Sequence, residues 1–343
     1  MFWDQLQLKP NISAAVRRAQ LKSTREVLCV SGPDLQRITG LSSSEVQELL
    51  AAAAAACRGH RPITALQLHH SECQRAKSSL RLGVGCPVLD LLLRGGLPVG
   101  AITELSGESG AGKTQLGLQL CLSVQYPPEH GGLSSGALYI CTEDPFPIRR
   151  LQQLIAGQSV LRSDVPSSLI SALCFSDHIY IEHTADLESL KVCLSRRAPL
   201  LLARGLVRLV VVDSVAALFR CEFQADDWLE RNKQLLIFSS MLHHLSQEFD
   251  TPVLCINQVT DVFSHSANSL GPSSSSVCPA LGLAWANRVM VRLMMLRLQG
   301  TASRGDQHST LRRLEVVFAP HLAREGRDVT VWREGVCGFV LPK

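Results

Sequence analysis

Residues 107–120 read GESGAGKTQLGLQL, and this stretch constrains the fold of the chain more than any other. Gly107, Gly112, Lys113 and Thr114 match the phosphate-binding pattern G-x-x-x-x-G-K-[ST]. The apolar segment AITELSG precedes the loop, and KTQLGLQLCLSVQ follows it with helical spacing. A strand, a glycine-rich loop and a helix in this order are the context that the pattern requires, so we predict a nucleoside triphosphate site.

The segments that follow predict an α/β fold over residues 81–343. The strand-like runs ALYICTE, IYIEHT, LVRLVVVDS and TPVLCINQV are separated by segments with helical spacing. The last two runs are almost continuously apolar, as expected of strands that are covered on both faces. This alternation predicts a mostly parallel central sheet flanked by helices.

Two further regions precede this core. Residues 1–57 predict a small all-α N-terminal domain, in which Ser42 and Glu45 form a capping box ahead of an alanine-rich helix. Residues 58–80 are polar and aperiodic, which is typical of a linker. The apolar island ITALQL within this linker could pair with a sheet edge of another subunit or pack on its own domain.

Composition excludes some classes of protein and permits others. The apolar runs are far shorter than the roughly 20 residues of a membrane helix, so no membrane partner is expected. The net charge of +4 permits a nucleic-acid partner without requiring one. None of the 12 cysteines forms a C-x-x-C pair, which favours reduced, mostly buried thiols in an intracellular protein over a metal site.

The phosphate-binding pattern predicts individual roles for its residues. We expect the Lys113 amine to reach the β and γ phosphates, and the Thr114 hydroxyl to ligate Mg²⁺. Asp213 ends the apolar run LVVVD and supplies a second oxygen near the magnesium ion. The predicted nucleotide-binding residues are Gly107, Glu108, Ser109, Gly110, Ala111, Gly112, Lys113, Thr114 and Gln115.

Two polar residues at strand ends are further catalytic candidates. Glu143 ends ALYICTE, and if that strand lies beside the strand of the phosphate loop, its carboxylate could orient the attacking water. The alternative is a surface glutamate at a strand end. Gln258 ends VLCINQ, where its amide could sense the γ-phosphate and pass the signal into the serine-rich segment 260–280.

Four motifs together resemble one family. GESGAGKTQ, TEDPFPIRRL, LVVVDSVAALFR and INQV occur in the order and spacing of the eukaryotic branch of the RecA-type recombinases. The resemblance implies a RecA-like P-loop ATPase core that binds ATP and Mg²⁺ at subunit interfaces. It also implies homologous-recombination repair of DNA double-strand breaks in the nucleus, with some of the protein in the cytoplasm.

Longer stretches such as YICTEDPFPIRRLQQL are similar to one paralogue of that branch. This similarity implies a heterodimer with the C-type recombinase paralogue. It also implies assistance to the main recombinase on single-stranded or branched DNA, with weak DNA binding by the chain alone. Arg150 matches the arginine that stacks on adenine in the family, and Pro279 lies where the ATP of a neighbouring subunit is capped.

The chain departs from the family pattern at its linker and its DNA loops. The polymerisation motif Phe-x-x-Ala is replaced by residues 62–65, PITA, which keep Ala65 and offer Ile63 as a partial substitute for the aromatic anchor. The first DNA loop carries Asp226 and Asp227, whose charge repels phosphates, and residues 259–280 contain no Lys or Arg. Trp228 could stack on a base or lie in an interface.

Two functions remain open from the sequence. One is a regulatory assembly subunit in which ATP joins two protein surfaces. The other is an autonomous DNA-dependent ATPase and strand-exchange filament subunit. The helical N-terminal domain and the linker disfavour a hexameric helicase or a small-molecule kinase. Residues 300–343 predict β-rich segments and no particular chemistry.

Overall fold

The computed structural model describes residues 8–21, 24–57, 66, 80–261 and 277–339. They belong to two compact units, residues 1–76 and 77–343, which are described separately below. Most of the predicted linker lies outside the described residues, including the interface candidates Ile63 and Ala65. The predicted domain bounds and the predicted role of the linker therefore stay predictions.

The N-terminal unit is a small helical bundle. Its core is formed by apolar side chains that are fully buried, among them Ile12, Leu35 and Leu49. The capping box is present, because the Ser42 amide donates to Glu45 Oε2 (2.9 Å) and the Glu45 amide donates to Ser42 Oγ (3.4 Å). The helices are α1 (Pro10–Arg18), α2 (Thr24–Leu28), α3 (Gly32–Thr39) and α4 (Ser43–Cys57).

The larger unit alternates strands with helices in its first two thirds and ends in antiparallel strands. Its strands are β1 (Arg81–Leu82), β2 (Leu97–Pro98), β3 (Ile102–Gly107), β4 (Gly136–Cys141), β5 (Ile179–His183), β6 (Val207–Asp213), β7 (Val253–Asn257), β8 (Val259–Asp261), β9 (Val277–Pro279), β10 (Val291–Arg304), β11 (Gln307–Phe318), β12 (Gly326–Val331) and β13 (Val336–Gly338).

The helices of the larger unit cover both faces of its main sheet. They are α5 (Pro87–Leu92), α6 (Lys113–Ser123), α7 (Ile148–Ala156), α8 (Gln158–Leu161), α9 (Ser167–Ala172), α10 (Leu187–Val192), α11 (Ala198–Ala203), α12 (Val215–Cys221), α13 (Trp228–Glu248) and α14 (Gly282–Ala286), with a π-helical turn at Cys193–Arg197 and 3₁₀ turns at Pro128–His130, Phe175–His178 and Ala225–Asp227. Within the described part of the chain, no helix has the length and apolar character needed to cross a bilayer.

The main sheet has nine strands in the order β13-β12-β11-β10-β3-β7-β6-β4-β5. The six strands from β10 to β5 are parallel to one another, and β11, β12 and β13 extend the sheet as an antiparallel edge. The central strands β3, β4 and β7 are buried at every position, which confirms the predicted parallel sheet between two helical layers. The carboxyl ends of β3, β4, β6 and β7 therefore meet at one edge of the sheet.

The polar residues 221–232, which contain the expected first DNA loop with Asp226 and Asp227, are only partly irregular. A 3₁₀ turn spans Ala225–Asp227, and the long helix α13 already begins at Trp228. The Asp227 carboxylate caps this turn by accepting a hydrogen bond from the Gln224 amide (3.1 Å). The Gln224 side chain accepts a hydrogen bond from the Asp227 amide in return, so the two residues form a capping box.

A buried carboxylate joins strands β3, β7 and β10. Glu104 of β3 is fully buried, and its Oε1 accepts hydrogen bonds from Asn257 Nδ2 (2.7 Å) and Trp285 Nε1 (2.9 Å). Its Oε2 forms an ion pair with Arg292 Nε of β10 (2.7 Å). A buried charge is tolerated only when it is paired and hydrogen-bonded, and here the partners come from β7, β10 and α14.

We expect Glu104→Ala to lower the free energy of unfolding of the larger unit by about 3–5 kcal/mol, because the Arg292 cation would lose its buried partner. Chemical denaturation followed by circular dichroism measures this loss. Glu315→Ala is the matched control, since Glu315 pairs with Arg313 at the surface and its loss should cost less than about 1 kcal/mol. Equal losses for the two variants would contradict the role assigned to Glu104.

Candidate functional site

The glycine-rich loop connects the end of β3 to the start of α6. Gly110 (φ 71°) and Gly112 (φ 107°) adopt left-handed backbone conformations that favour glycine. Lys113 Nζ donates to the carbonyl oxygens of Gly107 (2.7 Å) and Glu108 (2.8 Å), so the amine lies within the loop. Burial lowers the pKa of Lys113, and the nearby carboxylates of Asp213, Glu143 and Glu108 oppose this effect.

Oxygen donors for a hard cation meet beside the loop. Thr114 Oγ1 donates to Asp213 Oδ2 (2.7 Å), and the hydroxyl of Tyr139 donates to the same oxygen (2.6 Å). Burial and the Asp213 charge raise the pKa of Tyr139 well above 10, so the phenol stays a donor. Mg²⁺ is usually held by one or two protein oxygens together with phosphates and water, and Thr114 and Asp213 fit that requirement.

The described residues contain no cluster of three or more His, Cys, Asp or Glu side chains that could hold a metal ion on their own.

A second polar pair lies at the ends of β4 and β7. Glu143 Oε1 accepts hydrogen bonds from Gln258 Nε2 (2.5 Å) and from Ser214 Oγ (3.1 Å). The condition stated for Glu143, that its strand lies beside β3, is not met, because β7 and β6 separate β3 from β4. The segments that follow the strand ends nevertheless bring Glu143 and Gln258 together.

One cavity of about 940 Å³ collects most of the predicted site. Ala111 does not line it, because its side chain is fully buried in the core below the loop. Pro279, the last residue of β9, pairs with Val259 across a short ladder and does not line the cavity. The predicted residues that line it are Gly107, Glu108, Ser109, Gly110, Gly112, Lys113, Thr114, Gln115, Glu143, Arg150, Asp213 and Gln258.

The far wall of the cavity comes from the C-terminal strands, to which sequence reasoning gave no chemistry. The β10–β11 turn and strand β11 contribute Asp306, Gln307, His308 and Arg312, and the β12–β13 turn contributes Trp332 and Arg333. The sequence contains only a weak signal for this wall, namely polar residues in two short turns. These turns are far along the chain from the phosphate loop that they face.

Arg150 connects this wall to α7. Its guanidinium donates to the carbonyl oxygens of Trp332 (2.7 Å) and Arg333 (3.0 Å), and its Nε donates to Gln115 Oε1 (2.5 Å). Arg150 therefore lines the cavity and also holds the β12–β13 turn.

We expect Arg150→Ala to release the turn at residues 332–335, because the side chain supplies two hydrogen bonds to its carbonyls. Hydrogen exchange at these amides should be faster by about tenfold, the factor for a local stability loss near 1.4 kcal/mol. Arg149→Ala is the matched control, since the neighbouring Arg149 is exposed and its side chain does not line the cavity. Unchanged exchange in Arg150→Ala would contradict the proposed contact.

The fold and the site together define a class of protein. A glycine-rich loop between the central strand β3 and helix α6, with acidic and amide groups at the ends of neighbouring parallel strands, is the arrangement of a RecA-like P-loop nucleotide-binding protein. The chain belongs to the Rad51 family, whose profile matches residues 74–337. A profile described as XRCC3/RpoA-like, helix-hairpin-helix domain, matches residues 3–57.

Individual relatives agree with this assignment. The chain is 52% identical over 340 residues to DNA repair protein XRCC3 of Mus musculus, with 98% of this chain and 97% of the relative covered. It is 34% identical over 290 residues to the XRCC3 homolog of Arabidopsis thaliana (77% and 95% covered). It is 31% identical over 308 residues to DNA repair protein RAD51 homolog 2 of Homo sapiens (84% and 78% covered).

These similarities confirm the predicted membership of the eukaryotic RecA-type branch and the predicted resemblance to one paralogue. The relatives are named DNA repair proteins, which confirms at the level of the family the predicted role in DNA repair by homologous recombination.

Proposed function

We propose that this chain binds ATP with Mg²⁺ and acts as one subunit of a hetero-oligomer that assists recombinase filaments on single-stranded DNA. The task is the repair of DNA double-strand breaks by homologous recombination, and the compartment is the nucleus. The observation that carries the proposal is the single cavity in which the phosphate loop, the Thr114–Asp213 pair and the Glu143–Gln258 pair converge.

The residues of the cavity suit separate steps of nucleotide binding. The amides of the loop and Lys113 bind the phosphates, and Thr114 and Asp213 hold the magnesium ion. The ion, when bound, neutralises phosphate charge. Glu143 is the group that orients water for hydrolysis, and Arg150 and Trp332 border the remaining space.

Gln258 connects the cavity to the segment that we expect to respond to the nucleotide. Its side chain donates to Glu143, and its carbonyl oxygen accepts a hydrogen bond from the Ala280 amide (2.9 Å). Strands β8 and β9, which begin and end next to these residues, flank residues 262–276. A γ-phosphate that competes for Glu143 or Gln258 would therefore displace both ends of this segment.

Surface features favour the assembly role over autonomous DNA binding. Asp226 and Asp227 place negative charge at the expected first DNA loop, and the side chain of Trp228 beside them is 62% exposed. A large exposed aromatic ring is typical of a protein–protein contact as well as of base stacking. The partners that fit are the C-type recombinase paralogue and the main recombinase.

An edge strand offers a place for such a partner. Strand β5 ends the sheet, and Ile181 on it is 46% exposed. Free backbone groups on an edge strand can pair with an extended segment of another chain. The linker of a neighbouring subunit, equivalent to the stretch that contains Ile63 and Ala65, is a suitable segment, and Pro279 stays a proposed contact to the ATP of a neighbour.

The second candidate, an autonomous DNA-dependent ATPase, is favoured by the complete set of catalytic groups in one cavity. ATP turnover by the purified chain separates the two functions, measured with and without single-stranded DNA, alone and with the C-type paralogue. An assembly subunit should bind ATP with negligible turnover in the absence of its partner. Turnover that DNA stimulates in the chain alone would favour the second candidate.

Any turnover should fall at least a hundredfold in Glu143→Gln, because the amide cannot act as a base. Glu129→Gln is the matched control, since Glu129 is exposed and lies outside the cavity. Full turnover in Glu143→Gln would remove the role assigned to this carboxylate.

If ATP joins two subunits, Lys113→Ala should weaken the complex with the C-type paralogue, because ligand binding stabilises an assembly by mass action. Co-purification at a series of ATP concentrations measures this effect. The wild-type complex should become tighter with ATP and the variant complex should not respond. A variant complex that tightens like the wild type would contradict the assembly role of the nucleotide.

A further inference from the structure

Two arginines face each other on the strands that form the far wall. Arg297 of β10 and Arg312 of β11 are direct partners in the antiparallel register. Directly opposed side chains in such a ladder lie about 5 Å apart at Cβ, and like charges there destabilise the pair. An uncompensated pair of cations is therefore a cost that the fold carries.

Carboxylates neutralise the neighbouring arginines but not this pair. Arg313 forms ion pairs with Glu315 (2.9 Å) and Asp328 (2.8 Å), and Arg333 pairs with Asp306 (2.8 Å). By contrast, the hydrogen bonds of Arg312 go to uncharged groups, Thr310 O (2.7 Å) and Ser309 Oγ (3.3 Å).

The arginine pair also has unused donors. Among the described residues, Arg312 Nε is buried without a hydrogen-bond acceptor, and no ion pair involves Arg297. Burial and the charge of Arg297 lower the pKa of Arg312, which means that the surroundings oppose its charge. A buried guanidinium donor without an acceptor is costly, and an anion would relieve that cost.

Both side chains reach the phosphate loop. Arg312 lines the cavity, and its Nε lies 3.6 Å from the position that a Cβ would occupy on Gly112. The Nη1 atom of Arg297 lies 4.0 Å from the equivalent position on Gly110. The two cations are therefore next to the glycines whose backbone should surround the phosphates.

We propose that Arg297 and Arg312 bind the phosphate chain of the nucleotide as a second cationic element in addition to Lys113. This inference rests on the proposed nucleotide site. Guanidinium groups bind phosphate oxygens through two parallel hydrogen bonds, and a triphosphate carries enough negative charge to cancel the repulsion between the two arginines. The bound nucleotide then stabilises the pairing of β10 with β11, so that ATP binding and the stability of the far wall are coupled.

The test compares Arg312→Gln and Arg297→Gln with Arg313→Gln in the full chain. Arg313 is the matched control, because it follows Arg312 directly, points to the opposite face of the sheet and is paired with carboxylates. Calorimetric titration with ATP, ADP and AMP in Mg²⁺ measures affinity. Arg312→Gln should lower ATP affinity about tenfold to hundredfold, the range of a lost hydrogen bond between charged groups. The loss of affinity should be largest for ATP, smaller for ADP and smallest for AMP.

Thermal unfolding supplies a readout that a merely structural role would not give. Without nucleotide, Arg297→Gln should raise the melting temperature by about 1–3 °C, because it removes the repulsion. With saturating ATP, the same variant should gain less stability than the wild type. If the two arginines only stabilised the fold, Arg297→Gln would instead lower the melting temperature and leave the affinity for ATP unchanged. This result would overturn the inference.

Two further outcomes would also overturn it. Equal losses of ATP affinity in Arg312→Gln and Arg313→Gln would show that the pair has no special contact with phosphate. Lower affinity for single-stranded DNA with unchanged affinity for ATP would assign the pair to nucleic acid. If the wild-type chain binds no ATP, the proposed function itself fails, whereas ATP binding that is insensitive to Arg312→Gln removes only this inference.

Discussion

The buried carboxylate of Glu104 is the contact on which the arrangement of the site depends. It lies on β3 and bonds to Asn257 of β7 and Arg292 of β10, the two strands that flank β3. Asn257 in turn accepts a hydrogen bond from the Gln258 amide (2.8 Å) through its side-chain oxygen. The Glu104 carboxylate therefore belongs to the strand that leads into the phosphate loop. Through Asn257 it also fixes the position of Gln258, where the next segment begins. Because the group is fully buried, its partners cannot be exchanged for water without a large cost in free energy.

The site itself is divided between two parts of the sheet. The parallel strands deliver Lys113, Asp213, Glu143 and Gln258 to one edge, as parallel strands with right-handed crossovers do. The antiparallel strands β11 to β13 and the turns that precede β11 and β13 add a wall that faces the same space. A nucleotide bound there would contact both parts at once, so its charge would contribute to the stability of the larger unit as well as to any reaction.

This division is relevant to the choice between an assembly subunit and a motor. The proposed catalytic groups do not require rapid turnover, because Glu143, the carboxylate proposed to orient water, already accepts hydrogen bonds from Gln258 and Ser214. A nucleotide that bridges the two parts of the sheet can stabilise a particular shape of the subunit without being hydrolysed. The acidic residues near Trp228 and the exposed edge of β5 agree with a protein whose main contacts are with other proteins.

The sequence by itself determined the class of fold and the inner part of the site. Gly112, Lys113 and Thr114 are consecutive in the chain, so their chemistry follows from local geometry, and the apolar run before Asp213 is typical of a strand covered on both faces. The sequence could not determine that Glu143 meets Gln258 across the intervening strand β6, nor that Arg312 and Trp332 line the same cavity as the phosphate loop. Those contacts depend on the order of strands in the sheet. Strand order is decided by which buried faces and charges can be satisfied together, and a linear pattern of residues does not specify it.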